Sequence, residues 1–253
     1  MTRHRAGLQR TVILILLTLS LAAWTYMLQA HDHSVSLAPM HHATTASSSH
    51  SWPLLGFTTA FIVWAVMMIA MMTPSVIPMV LGFIRIRQRA RLRHLYGSAM
   101  AFLSGYFLIW LLFCALATAA QCELQTLALL SPTLESQNIL LSAVLLLLAG
   151  LYQFTPWKAA CLKHCRTANG VLADCHRNAA RVGIHHGFNC VGSCWALMIM
   201  MFAVGVLNLP WMAIITLIVV LEKVLPINPI WLRCSTGLAF LAWGGWLLMP
   251  IWM

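Results

Sequence analysis

The chain has 253 residues, of which 61% are hydrophobic and only 8% charged, whereas a soluble globular domain carries about 25% charged residues. A soluble fold of this size could not hide so much apolar surface, and lipid removes the need to hide it. The formal net charge of +10 does not point to nucleic acid, because the Lys and Arg residues sit in short connections between apolar runs, where they report topology.

A spanning helix needs about 20 mostly apolar residues, and seven segments qualify in chain order: 11–29, 53–84, 97–119, 138–154, 188–208, 210–226 and 231–249. The first follows Arg3, Arg5 and Arg10 and also resembles a signal peptide. Its cleavage site after Leu28-Gln29-Ala30 is poor, because Leu28 is large, so residues 1–30 are read as a first transmembrane helix that can serve as a signal anchor. The remaining basic clusters are Arg85 to Arg93, Lys158 to Arg181, and Lys223 with Arg233. The connections 30–52 and 120–137 and the turn at Leu209-Pro210 contain no Lys or Arg. One alternating assignment puts every basic residue on the same side. The expected fold is therefore an all-α polytopic membrane helix bundle of about seven transmembrane helices, with the N-terminus in the cytoplasm and the C-terminus outside.

Residues 31–52 read as an external His-rich linker ahead of a six-helix membrane domain over 53–253. The linker carries His31, His33, His41, His42 and His50 in a Ser/Thr/Ala background. Such a stretch cannot build a core, and its imidazoles suit weak collection of Cu(II), Zn or Ni.

The second apolar segment holds Met67, Met68, Met71 and Met72 just before Thr73-Pro74. Positions three and four apart share a helix face, so Met68, Met71 and Met72 form one thioether patch. Pro74 removes a donor and frees a carbonyl one turn earlier, which predicts a kink beside that patch. The fifth segment is richer. His186, Cys190, Cys194 and Met198 are spaced by four, Met201 follows by three, and all five project onto one stripe. Between these segments, Cys161 and Cys165 share a face of a short helical turn with Lys158, Lys163 and Arg166 nearby, cations expected to favour thiolate. Four-residue spacing does not suit a zinc knuckle. Cys175 and His176 are spare candidates, and Cys114, Cys122 and Cys234 read as packing. Glu222-Lys223 interrupt the sixth apolar run, a position that is functional when buried and a snorkelling one when near the interface.

These motifs resemble a family of bacterial integral membrane proteins known as predicted metal-binding. The matching pieces are Met67-x-x-Ala70-Met71-Met72-x-Pro74-Ser75; Lys158-x-x-Cys161-Leu162-x-x-Cys165-Arg166; Gly187-x-x-Cys190-x-Gly192-x-Cys194-Trp195; and Leu197-Met198-x-x-Met201-Phe202-x-x-Gly205-x-x-Asn208-Leu209-x-Trp211-Met212. They cover most of 53–226 in order. Where the family often has a further Cys before Cys194-Trp195, this chain has Ser193. The resemblance implies a bacterial inner-membrane protein that binds metal.

Thiolate and thioether ligands select soft metals. Cys190, Cys194, Met198, Met201, Cys161, Cys165, Met68, Met71, Met72 and His186 are therefore the candidate ligands of Cu(I), held for transfer, transport or insertion into a metal-receiving membrane or periplasmic partner. Zn is the second metal that the Cys and His residues suit. Haem is disfavoured, because no His lies well inside a span. Two other readings stay open: a membrane thiol-disulfide oxidoreductase using Cys pairs, and a sulfur-lined transporter of another small solute with Glu222 as its gate. No spacing reveals a catalytic triad or a phosphate-binding loop, so the chain reads as a binding protein rather than an enzyme.

Overall fold

The computed structural model describes residues 2–41, 54–90, 94–127, 129–130, 138–166, 178–225 and 229–252. Within them the chain is all-helical: α1 (Thr2–His41), α2 (Leu54–Arg89), α3 (Leu95–Thr126), α4 (Ile139–Gln153), α5 (Pro156–Arg166), α6 (Ala179–Ile199), the single turn α7 (Met201–Val204), α8 (Leu209–Val224) and α9 (Pro229–Trp252). Helix α1 runs on through His41, so the first part of the expected linker continues the helix. Residues 42–53, with His42 and His50, lie outside the described residues, as do Cys175 and His176.

Four helical stretches are long and apolar enough to cross a membrane: Gly7–Ala30, Gly56–Arg89, Leu95–Thr126 and Ala179–Val204. A fifth arises if α4 and α5, bent by 63° at their junction, make one span. Helix α8, with 16 residues, and α9 are not among them. The outer surface agrees with association with a membrane, since Leu108, Leu112 and Leu116 line an exposed stripe of α3 while Leu14, Leu17 and Leu21 are exposed on α1.

Local chemistry explains where the helices end. Asn138, Asn178 and Asn208 cap α4, α6 and α8, their side-chain oxygens accepting from the N–H groups of Leu140, Ala180 and Trp211 and so satisfying donors that a helix start leaves open. Gly205 turns the chain between α7 and α8 with φ 98°, a region that favours glycine. Thr155-Pro156 breaks α4 from α5. Proline has no N–H to continue the α4 ladder, and the Thr155 hydroxyl accepts from the Lys158 N–H at 3.3 Å. The expected segment 188–208 begins earlier, at Ala179, and is interrupted at Met200.

Helix α2 runs unbroken through Pro74, and the carbonyl that this proline leaves without a donor has partners on α1. Ala70 is the residue whose carbonyl loses its intrahelical donor, and that oxygen accepts from Ser20 Oγ at 3.1 Å and Trp24 Nε1 at 3.2 Å, both on α1. Elsewhere α3 packs most extensively on α6, α4 on α9, and α5 on α6. The α3–α6 contact is close because glycine permits it. A Cβ on Gly183 would lie 2.0 Å from the Phe102 carbonyl oxygen, and one on Gly105 2.3 Å from that of Ala180. Small residues that let backbones approach are the usual means of packing helices in lipid.

Candidate metal centre

Helix α6 presents the sulfur stripe to the bundle interior. Cys190 and Cys194 are each 1% exposed, Met198 and Met201 are fully buried, and His186 is buried too. Cys194 Sγ donates to the Cys190 carbonyl at 2.9 Å, and the Ser193 hydroxyl donates to the same oxygen at 2.7 Å.

Close α3–α6 packing brings Tyr106 over this stripe. Its hydroxyl lies 3.1 Å from Cys190 Sγ. His186 sits against two rings, with centroids 5.6 Å from Tyr106 and 5.7 Å from Phe102. From α8, Lys223 Nζ donates to Cys190 Sγ at 2.9 Å and to Ser75 Oγ at 3.5 Å. Ser75 follows Pro74, so one ammonium ties the Met-rich α2 to the thiol of α6. Met67, Met68, Met71 and Met72 are all buried there and belong to the same core as Met198 and Met201.

Helix α5 completes the surroundings. Cys165 is buried and lies within electrostatic reach of Cys190, Lys223 and Cys161. Cys161 is half-buried, and its sulfur abuts Gly192, where a Cβ would come within 2.8 Å of it. All seven described cysteines are free. Among the described residues no three His, Cys, Asp or Glu side chains converge to hold a metal, so a site built from these residues with more than two side-chain ligands must recruit thioethers.

The cations are arranged differently from the sequence expectation. Lys158, expected beside the α5 thiols, instead forms a buried ion pair with Glu222 at 2.9 Å and donates to Gln153 Oε1, although its charge still reaches Cys194. Arg166 donates to the Leu225 carbonyl. Lys223 is the cation at a thiol. Neither Glu222 nor Lys223 snorkels, because each finds its partner inside the bundle. Arg233 closes the α4–α5 junction, donating through Nε and Nη2 to the Gln153 carbonyl at 3.0 and 2.6 Å and through Nη2 to that of Thr155 at 3.2 Å. Sequence reasoning gave Tyr106, Ser75 and Arg233 no place at the site. Ser75 carried a signal as the end of the first motif and Arg233 as a charge beside an apolar run, whereas Tyr106 carried none.

The last family motif proves to be structural in part: Gly205 supplies the turn and Asn208 the cap, its Nδ2 also donating to the Val204 carbonyl at 3.1 Å. No curated protein and no solved structure matches the chain. A family model described as a copper chaperone, PpoB2, matches residues 61–247, from within α2 to within α9 and with every candidate ligand inside. On that match, which covers well over half of its length, the chain belongs to the PpoB2 copper chaperone family.

Proposed function

We propose that this protein holds copper as Cu(I) inside a membrane bundle, on Cys190 and Cys194 with Met198 as a third ligand, and passes it to a membrane or extracytoplasmic acceptor. Met201, and Met68, Met71 and Met72 across Lys223, supply further thioethers. The observation that carries the reading is the contact of Lys223 with Cys190 Sγ in the buried interior. A sulfur that accepts from an ammonium is suited to ligate as thiolate, and charge-assisted contacts of this kind are stronger than neutral ones. Zn wants four N, S or O ligands, whereas Cu(I) accepts a sparse set of soft ones. His186, stacked between rings, is the weakest ligand of the set. A disulfide oxidoreductase is less well supported, because Cys190 and Cys194 lie one turn apart on an unbroken helix, a strained geometry for a disulfide.

The proposal includes seven spans, with the N-terminus in the cytoplasm and the C-terminus outside. Its support is the placement of Lys and Arg in alternate connections. Helix α8 would rise only about 24 Å at 1.5 Å per residue, so it is the span that needs the bilayer to thin or its ends to be covered by neighbours.

The test is Cu(I) binding by the full chain in mild detergent, under reducing conditions, in competition with a chromophoric chelator. Tight binding is expected, lost in Cys194→Ser and in Cys190→Ser. Wild-type affinity in the Cys190→Ser/Cys194→Ser double variant would end this reading.

A further inference from the structure

We propose that Cys161 is the entry thiol for copper, and that the metal passes from it by ligand exchange through Cys165 to Cys190 and Cys194. This rests on the copper reading above and adds the route. Three observations carry it.

The first is a gradient of burial from the α5 cysteines to the α6 stripe. Cys161 is half-buried, Cys165 is 7% exposed, Cys190 and Cys194 are 1% exposed, and Met198 is fully buried. The second is position. Cys161 lies on a short helix whose Lys163 and His164 are exposed, so its end of the ladder is the polar one. The third is Gly192. It stands between Cys190 and Cys194 on α6, and its missing side chain is what admits the Cys161 sulfur to the α6 backbone.

The exchange chemistry balances without any oxidant. An incoming thiol forms a Cu–S bond, the earlier Cu–S bond breaks, and the proton of the incoming thiol goes to the departing thiolate. Copper remains Cu(I) throughout. Stepwise exchange also suits a bundle in which no three Cys, His, Asp or Glu side chains converge among the described residues, because each step needs only two sulfurs at a time. Ser193, beside Cys165 and hydrogen-bonded to the Cys190 carbonyl, offers an oxygen where another thiol would hold the metal back.

The experiment separates rate from affinity. Cu(I) is supplied as its bicinchoninate complex to full-length protein in detergent, and the loss of the complex colour is followed in a stopped flow. Cys161→Ser should load about tenfold more slowly, a loss of about 1.4 kcal/mol in the transition state, and still reach wild-type occupancy. Gly192→Ala keeps every thiol but pushes the Cys161 sulfur aside, and should show the same slowing. A Cys161→Ser protein that does not fold leaves Gly192→Ala to decide. Wild-type loading rates in the folded variants would overturn the route while leaving the copper site standing. Loss of Cu(I) occupancy in Gly192→Ala would overturn it too, since Cys161 would then belong to the holding site. Retained affinity in Cys190→Ser/Cys194→Ser would instead remove the copper reading itself.

Discussion

Lys158 and Glu222 form a buried ion pair, with side chains 1% and 2% exposed. Such a pair adds little over a well-packed apolar pair, but removing one partner strands a charge and costs about 3–5 kcal/mol. Glu222→Gln is therefore expected to destabilise the protein by that order, while Lys158→Met/Glu222→Leu recovers most of the loss. Denaturant unfolding in detergent micelles measures both, and a double variant no better than Glu222→Gln would show that the pair is not the source of the cost. At the metal stripe the contrast is between ligation and packing. Met198→Leu conserves volume and should cost under about 1.5 kcal/mol of stability, yet it should weaken Cu(I) binding measurably. Unchanged Cu(I) affinity would reduce Met198 to a core filler, the ordinary use of methionine.

At the scale of elements, α1 supports α2 at the carbonyl that Pro74 leaves open. Deleting both donors to the Ala70 carbonyl, in Ser20→Ala/Trp24→Phe, leaves a buried acceptor unpaired, a penalty of about 1–3 kcal/mol. Either single change should cost less, since the other donor remains. Pro74→Ala restores an N–H to that carbonyl, so in its background the double change should cost little. Equal costs in both backgrounds would mean that Ser20 and Trp24 act by packing alone. The α3–α6 interface is a harder constraint. Gly183→Ala puts a methyl group into the Phe102 backbone and should separate the helices, moving Tyr106 off Cys190, whereas Gly97→Ala meets nothing within 4 Å and should be neutral or slightly stabilising. Thermal unfolding of the two variants side by side distinguishes them.

For the whole molecule, the orientation proposed from charge makes a direct statement about fusions. Reporters placed after Arg93 or Lys163 should read as cytoplasmic, and those placed after Ser48 or at Met253 as external. A cytoplasmic signal at Met253 would mean an even number of spans, with α6 or the 16-residue α8 failing to cross. The family match speaks to copper and leaves this question to such measurements.

Sequence by itself determined the all-helical fold, because apolar runs of spanning length admit helices and little else in lipid. It determined the sulfur stripe, because a spacing of four places Cys190, Cys194 and Met198 on one face whatever surrounds them. It also located the Ala70 carbonyl that Pro74 leaves without a helical donor, a consequence of one missing N–H. Only the tertiary structure decided which residues meet. Lys223 reaches Cys190 while its neighbour Glu222 turns to Lys158, an outcome set by where α5 and α6 lie around α8 and invisible in the adjacent letters Glu-Lys. Tyr106 meets Cys190 because Gly105 and Gly183 let two helices touch, residues more than seventy positions apart in the chain. The fourth apolar run ends at residue 154, but the 63° bend that follows was not legible. Arg233 meets that junction only in the folded chain, its guanidinium donating to the carbonyls of Gln153 and Thr155 from a helix near the other end of the sequence. Local chemistry is written in neighbouring residues, whereas the pairing of buried charges and sulfurs is a property of distance in space, which folding alone assigns.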